Sequence, residues 1–244
     1  MEKINSHIQS KILDQIPGVS TAFQFPSTLR PKDLYQVHQT HSTDIVVLHS
    51  EIKEELAIRK GDGILTDHSK RIGIQTADCM PVLISSSDGR TIAAIHAGWR
   101  GLLDGILSKT IQLLVSLKIS PENLVIAIGP HIRSCCFEVS RDLLDRFELR
   151  WKNFNTVITT KQNQPSSTQS YGGDFWIDLS KLASAELRSH SIPENKIEVL
   201  QFCTYCGKND LGIKTELASY RRHSHSEQKN EKYQYRQWSW IQKF

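Results

Sequence analysis

No stretch of this 244-residue sequence is both apolar and long enough to cross a lipid bilayer. Residues 1–19 mix polar and apolar side chains and lack the continuous apolar core of a secretory signal peptide. We therefore expect a protein that acts in the cytoplasm and has no membrane partner.

The sequence also lacks a strong excess of one charge. It carries 30 Lys and Arg residues against 26 Asp and Glu residues, which gives a net charge of +4. Because the two signs are interspersed, this balance does not indicate a nucleic-acid partner. A mild positive excess is compatible with a small anionic substrate such as phosphate.

Cysteine is scarce, and its number is odd. The five cysteines are Cys79, Cys135, Cys136, Cys203 and Cys206, a pattern that predicts reduced thiols in the cytoplasm rather than a disulfide framework. The Cys203-x-x-Cys206 motif has no second such motif to complete a structural zinc site. The adjacent Cys135 and Cys136 are not expected to face one ion together.

Histidine pairs of the kind that bind copper are few. A multicopper oxidase needs several His-x-His pairs together with a cysteine, and this chain has one such pair, His223 and His225. Copper is therefore disfavoured as the cofactor.

The most informative stretch that is present runs from Thr76 to Gly101 and reads TADCMPVLISSSDGRTIAAIHAGWRG. Two short apolar runs, 81–84 and 92–95, flank a Ser-Ser-Ser-Asp-Gly turn, which predicts a buried β-hairpin. Cys79 precedes the first strand and His96 ends the second. The hairpin is therefore expected to bring the thiol and the imidazole together at its open end.

Helical and strand patterns alternate along the rest of the chain. Apolar residues recur at helical spacing over 102–117 and 178–190, and short apolar runs predict strands between and around these helices. There is no internal repeat and no break in composition. We predict one mixed α/β domain over residues 1–244, less regular at 1–32, where prolines recur.

Several motifs are similar to those of a widespread family. They are TADCMPVL and HAGWRG in the hairpin, IGPHIRSCCFEV at 128–139, Cys-Thr at 203–204 and Ser-Tyr-Arg-Arg at 219–222. From about residue 33 to 241 the sequence resembles the YfiH-like, or multicopper polyphenol oxidase (laccase-like), family, also described as purine nucleoside phosphorylases. The resemblance implies a single-domain α/β/β/α layered sandwich with mixed sheets.

The resemblance also implies one zinc ion held by two histidines and one cysteine, and two of these ligands carry over to Cys79 and His96. The third belongs to a Gln-x-His motif, which both His38 and His41 satisfy. The residues around His41, QTHSTDIV, match the family without a gap and favour His41. Both histidines are expected to lie on one strand, where residues three apart point to opposite faces, so only one can join the site unless a bulge intervenes.

Two imidazoles and a thiolate suit Zn²⁺, and three protein ligands leave an open position for water or substrate. The resemblance thus implies His41, Cys79 and His96 as metal ligands and catalytic residues. Asp78 is predicted to orient a ligand or to carry a proton. Three arginines are the predicted phosphate or ribose contacts: Arg100, Arg221 and Arg222.

Several functions stay open on the sequence alone. The leading hypothesis is a zinc-dependent purine nucleoside phosphorylase acting on inosine, guanosine, adenosine or S-methyl-5′-thioadenosine, with adenosine deaminase activity as an addition. A second is a cysteine hydrolase or deamidase with Cys79 as nucleophile and His96 as base. The others are a laccase-like oxidase and a non-enzymatic partner-binding protein, for which Trp238 and Trp240 would offer a surface. The expected partners are a purine nucleoside and phosphate, and the expected state is a monomer or homodimer.

Overall fold

The computed structural model describes residues 7–48, 59–152, 158–160, 173–226 and 236–244. The strands are β1 (His7–Ile8), β2 (Val19–Gln24), β3 (Leu34–Tyr35), β4 (Ile45–Leu48), β5 (Gly63–Thr66), β6 (Arg71–Thr76), β7 (Met80–Ser86), β8 (Ile92–Ala97), β9 (Leu124–Ile128), β10 (Glu138–Val139), β11 (Ile158–Thr160), β12 (Phe175–Ile177), β13 (Ile197–Val199) and β14 (Gln237–Lys243). The α-helices are α1 (Trp99–Leu103), α2 (Ile106–Ser116), α3 (Arg141–Arg150), α4 (Leu179–Ser189) and α5 (Tyr220–His225).

The predicted hairpin forms the middle of a six-stranded sheet with the order β13-β9-β7-β8-β5-β4. β7 and β8 pair antiparallel and place Pro81 opposite His96. The pairs at both edges of the sheet, β13 with β9 and β4 with β5, are parallel, so the sheet is mixed. Every residue of β7 and β8 is buried. Burial on both faces explains why these strands are continuous apolar runs rather than alternating ones.

A five-stranded sheet, ordered β1-β2-β14-β6-β3, packs on one face of the six-stranded sheet. Phe23 and Ile74 from this second sheet share a buried cluster with Leu83 of β7. Helices α1 to α4 pack against the opposite face, where Val82 of β7 clusters with Leu107 of α2. Successive residues of one strand thus serve two cores, as the pleat requires. A three-stranded sheet, β10-β12-β11, completes the described sheets.

The mixed α/β class with mixed sheets is confirmed by this arrangement. The central sheet contributes to both buried clusters. This sharing supports the single domain over residues 1–244, which stays a prediction.

The helix expected over 102–117 is in fact two helices. The first begins at Trp99, directly after Gly98, and the second begins at Ile106. Gly105 between them has a φ of 86° and therefore lies in the left-handed region, which ends a helix. The apolar residues keep their helical spacing across the break, so periodicity alone does not reveal it.

The N-terminal part is more regular than expected. The strand β2 lies between β1 and β14 in the five-stranded sheet. Pro17 and Pro26 lie on either side of this strand instead of interrupting it, a position that costs no ladder hydrogen bond.

Within the described residues, no helix combines the length and the apolar character needed to cross a bilayer. Near the C-terminal end of the chain, Trp238 is buried and the Arg71 guanidinium lies 4.6 Å from the centre of the Trp240 ring. These two rings therefore do not form the exposed surface that a partner-binding function would use.

Candidate metal centre and cleft

Two histidines and a cysteine converge at the open end of the hairpin. His41 comes from the loop before β4, Cys79 from the residue before β7, and His96 from the end of β8, and their ligand atoms all lie within 4.8 Å of one another. The Cys79 Sγ atom lies 3.8 Å from His41 Nε2. The centres of the two imidazole rings are 4.8 Å apart. Nitrogen and sulfur donors this close fit a metal ion such as zinc.

The structure brings His41, and not His38, to this group. His38 is exposed and forms an isolated bridge with Lys60. His41 has a φ of 60°, in the left-handed region, so the expectation that both histidines lie on one strand is wrong. A turn of the loop, rather than strand alternation, separates the two side chains.

The three side chains approach each other closely because a glycine lies beside them. A Cβ atom on Gly98 would lie 3.0 Å from Cys79 Sγ and 3.1 Å from His41 Cδ2. Any larger residue at this position would displace the two ligands, so the glycine of the HAGWRG motif is required by packing.

Asp62, which was not predicted as a site residue, holds this group in place through hydrogen bonds. Its carboxylate is fully buried, and Oδ1 lies 2.8 Å from His96 Nδ1. The backbone N–H groups of Thr40, His41 and Ser42 donate to the same carboxylate at 3.1, 3.0 and 2.6 Å. One carboxylate therefore fixes both the ring of His96 and the loop that carries His41. The only local signal in the sequence is an acidic residue between two glycines just before an apolar strand.

The charges of the group depend on these contacts. Burial opposes ionisation of Asp62, but hydrogen bonds from His96 and Ser42 hold the pKa of its carboxyl well below the usual range. Burial lowers the pKa of His96, yet hydrogen bonds with Asp62 and Cys79 outweigh it and raise the pKa to about 9. Burial raises the pKa of the Cys79 thiol, and hydrogen bonds from His41 and His96 bring it down to about 7. The site favours a thiolate, the form that binds metal ions.

The lowered pKa of Cys79 gives a measurable expectation for the metal-depleted protein. We expect iodoacetamide to alkylate Cys79 with a half-maximal rate near pH 7, because its thiol pKa is about 7 and the thiolate is the nucleophile. Peptide mass spectrometry at a series of pH values follows this cysteine separately from the other thiols. In His96→Ala, which lacks one stabilising hydrogen bond, the midpoint should move toward the value of about 8.5 for an ordinary cysteine.

Metal loading supplies the control for this measurement. A thiolate bound to an ion is protected, so alkylation of Cys79 should be suppressed at every pH in the loaded protein. A wild-type midpoint near that of an ordinary cysteine, or equal rates with and without metal, would contradict the geometry described above.

A cleft of about 750 Å³ opens over the group. Its lining combines the metal-binding side chains with cationic, aromatic and polar residues: Gln39, His41, Gln75, Ala77, Asp78, Cys79, His96, Trp99, Arg100, Ile132, Phe137, Tyr220, Arg221, Ser224, His225 and Arg236. This volume lies within the range of sites for small molecules. Arginines beside aromatic rings suit an anionic group together with a planar ring.

Asp78 lies in the cleft wall with both carboxylate oxygens engaged by protein. The Thr204 hydroxyl donates to Oδ1 at 2.7 Å, and the backbone N–H of Arg221 donates to Oδ2 at 2.7 Å. Asp78 therefore joins Thr204 and the start of α5 to the segment just before β7. Its predicted catalytic role stays a prediction, and these contacts favour a positioning role.

The three predicted substrate arginines lie in different surroundings. Arg100 is exposed and lines the cleft, with its guanidinium 4.4 Å from the centre of the Trp99 ring. Arg221 also lines the cleft, and its Nη1 donates to the carbonyls of Cys136 and Glu138.

Arg222 faces away from this lining. Its guanidinium donates to the backbone carbonyls of Thr204, Tyr205 and Leu217 and is not among the cleft residues. Its substrate contact stays a prediction, which this position does not favour. Arg236 lines the cleft and was not predicted, because it follows a polar stretch with no motif.

The remaining cysteines form a second group, contrary to expectation. Cys135, Cys136, Cys203 and Cys206 offer sulfur atoms that all lie within 4.8 Å of one another. The expectation that the adjacent cysteines do not face one ion together is wrong. A turn at 133–137 directs both side chains toward the loop that carries Cys203 and Cys206.

Comparison with known proteins relates the chain to proteins of one family. A family model described as multi-copper polyphenol oxidoreductase laccase matches residues 20–229. A purine nucleoside phosphorylase of Clostridium acetobutylicum is 32% identical over 193 residues, which make up 78% of this chain and 72% of that protein. Adenosine deaminase RL5, from an unknown prokaryotic organism, is 27% identical over 181 residues, 71% of this chain and 66% of that protein. The crystal structure of Bacillus licheniformis hypothetical protein YfiH has a TM-score of 0.71 at 20% identity and covers 93% of each chain.

Proposed function

We propose, on the premise that this chain belongs to the family described as multi-copper polyphenol oxidoreductase laccase, that it is a zinc-dependent purine nucleoside phosphorylase. The chain is an enzyme, as its curated relatives are. The observation that carries the proposal is the convergence of His41, Cys79 and His96 on a cleft lined by arginines and aromatic rings.

Zinc is the ion that this donor set fits best. His41, Cys79 and His96 would hold it, with Asp62 fixing His96 through Nδ1 so that Nε2 faces the group. When bound, the ion would supply a Lewis acid and a water molecule with a pKa near 7. A carboxylate behind a ligating histidine is the arrangement that orients the ring and raises its basicity.

The other cleft residues supply what phosphorolysis needs. Phosphate must form a bond to C1′ of the ribose while the bond from C1′ to the purine breaks, which yields ribose 1-phosphate and the free base. Arg100 and Arg236 offer guanidinium donors for the phosphate. Tyr220, 64% exposed at the cleft, offers a ring on which a purine can stack.

Adenosine deamination is a second candidate activity of the same cleft. A relative is named adenosine deaminase, and a three-ligand metal site leaves a position open for the water that would replace the amino group. The two activities differ in their need for phosphate.

The competing functions are less well supported by the described residues. The two groups there that could hold a metal contain two histidines in all, fewer than a multicopper centre needs. A cysteine hydrolase would use the lowered pKa of Cys79, but it requires that thiolate to be free of metal. The effect of metal loading on alkylation and on activity therefore separates a hydrolase from the proposed phosphorylase.

Location and partners belong to the same proposal. We place the enzyme in the cytoplasm, where its free thiols stay reduced, as a monomer or homodimer without a nucleic-acid or membrane partner. Its partners are then a purine nucleoside and phosphate.

The proposal is tested by incubating the purified enzyme with inosine, guanosine, adenosine and S-methyl-5′-thioadenosine, with and without phosphate. We expect release of the base and formation of the sugar 1-phosphate only when phosphate is present. Arg100→Ala should raise the KM for phosphate about 10–100-fold, because a hydrogen bond to a charged group contributes about 1.5–3 kcal/mol.

The matched control for this variant is Arg90→Ala. Arg90 lies at the turn of the hairpin, away from its open end, with its side chain 84% exposed. Its replacement should leave all kinetic constants unchanged. Base release at the same rate without phosphate would overturn phosphorolysis, and conversion of adenosine to inosine alone would assign the cleft to deamination.

A further inference from the structure

The four cysteines outside the cleft converge on one point. The sulfur atoms of Cys135, Cys136, Cys203 and Cys206 all lie within 4.8 Å of one another, and those of Cys135 and Cys206 are 3.9 Å apart. In a tetrahedral zinc tetrathiolate, bonds of about 2.3 Å place the sulfurs about 3.8 Å from each other. The observed spacing is that of ligands around a single ion, and all of these cysteines are free.

We propose that these four residues bind one Zn²⁺ as a tetrathiolate, in a second metal site separate from the His41–Cys79–His96 group. Four thiolates fill the coordination sphere of the ion and leave no position for substrate, which is the donor set of a structural site. Tetrahedral sulfur ligation selects zinc or iron–sulfur centres, and it disfavours ions that prefer oxygen ligands.

The loops that carry the cysteines have the backbone of metal-binding turns. The carbonyl of Arg133 accepts a hydrogen bond from the N–H of Cys136 at 2.8 Å. In the other loop, the N–H of Gly207 donates to the carbonyl of Cys203 at 2.9 Å, and Gly207 has a φ of 67°. The backbone N–H of Lys208 donates to the sulfur of Cys206. Such donors stabilise thiolates when the metal displaces their protons.

Backbone hydrogen bonds of His131 and an ion pair between Arg133 and Asp210 join the two loops, and the ion would add a further link between them. His131 and Cys203 form an isolated bridge, and the N–H of Thr204 donates to the carbonyl of His131 at 3.0 Å. Cys203 is 1% exposed, whereas the other cysteines of the group are partly exposed. An ion can therefore reach the site from solvent and be held against the core.

The link matters to the enzyme because both loops hold α5, and Tyr220 and Arg221 of this helix line the cleft together with Ile132 and Phe137. Arg221 Nη1 donates to the carbonyl of Cys136 at 3.3 Å. Arg222 Nη1 donates to the carbonyls of Thr204 and Tyr205, each at 2.6 Å. Both arginines belong to α5, so the position of this short helix depends on loops that the ion would hold in place.

Metal analysis of the full chain tests the proposal. The protein is purified with a reductant, without chelators, and its zinc content per chain is measured by plasma mass spectrometry. We expect wild type to hold one zinc ion more than the His41–Cys79–His96 group can account for. Cys206→Ser and Cys135→Ser should each lose one ion and melt several degrees lower, whereas His96→Ala loses the other ion. Ser134→Ala, a change next to the ligands that removes no sulfur, should keep both.

Two further measurements keep the test decisive if a cysteine variant fails to fold. Cobalt loaded into His96→Ala, which lacks the other ion, should give a thiolate-to-cobalt charge-transfer band with the strength expected for four sulfurs, and the same band should be present in wild type. The proposal is overturned if wild type holds a single zinc that His96→Ala removes, if the metal found is iron, or if peptide mapping shows disulfides among these cysteines under reducing purification. Metal counting does not depend on which substrate the cleft takes.

Discussion

Asp62→Asn is expected to keep the fold but to weaken zinc binding at the His41–Cys79–His96 group by about 10–100-fold, the usual loss when a residue that orients a ligating histidine is changed. The carboxylate accepts hydrogen bonds from His96 and from three backbone N–H groups of the loop 40–42. An amide offers one accepting oxygen, and its NH₂ group would face donors. Competition with a chromophoric zinc chelator measures the change in affinity.

Asp62→Ala should have the largest effect on stability of any substitution in the site. It leaves the buried N–H groups of the loop and the imidazole of His96 without an acceptor. Removing one partner of a buried charged pair costs about 3–5 kcal/mol. Urea unfolding of the metal-free variant, compared with metal-free wild type, measures this loss in the free energy of unfolding.

Asp44→Asn is the matched control. The side chain of Asp44 is exposed, while its backbone carbonyl accepts the N–H groups of Asp62 and Gly63 at 2.9 and 3.1 Å. The same chemical change at this position should alter stability by less than about 0.5 kcal/mol. If Asp62→Asn and Asp44→Asn lost equal amounts of unfolding free energy, the buried carboxylate would have no special role.

The pH dependence of stability gives an independent measure of the same pair. The pKa of His96 is raised to about 9 in the folded protein. In the metal-free enzyme its stabilisation is therefore complete below the unfolded value of about 6.5 and is lost as the pH rises through the folded value. Asp62, whose pKa is lowered, stays ionised over this range. Between about pH 6.5 and pH 9, the melting temperature of Asp62→Asn should accordingly fall less than that of wild type.

The parts of the fold that follow from local patterns were predictable. The hairpin was predicted because its strands are short apolar runs around a turn of polar residues, and β7 and β8 confirm it. The order of the strands was not predictable. β14, near the C-terminal end of the chain, lies between β2 and β6, and nothing in the local sequence encodes pairing across such distances.

The candidate site was likewise predictable only in part. Cys79 and His96 could be paired from the hairpin, because its register places their positions at one end. Asp62 could not be found, because its role consists of hydrogen bonds to residues 40–42 and His96 that exist only after folding. The cysteine group was missed for the same reason, since its two halves lie on loops far apart in sequence.

His41→Ala is expected to abolish both zinc binding at the group and turnover, while His38→Ala keeps the metal and at least part of the activity. With His41 removed, only one nitrogen and one sulfur ligand remain. Loss of a residue that merely supports a ligand lowers metal affinity by about 10–100-fold, and loss of the ligand itself should lower zinc affinity by more than that. His41 Nε2 lies 3.8 Å from Cys79 Sγ, whereas His38 is exposed and pairs through its backbone with Lys60.

The two variants are matched, since each removes one imidazole from the same loop, three residues apart. Zinc content and phosphate-dependent release of base from inosine are measured on both, together with the melting temperature, which shows whether each variant folds. Because the cysteine group would retain its own ion, the difference from wild type is the quantity to compare. His41→Ala should lack one ion and His38→Ala none. Loss of the ion in His38→Ala with retention in His41→Ala would move the ligand to His38 and would require the loop 36–44 to turn the other way when metal binds.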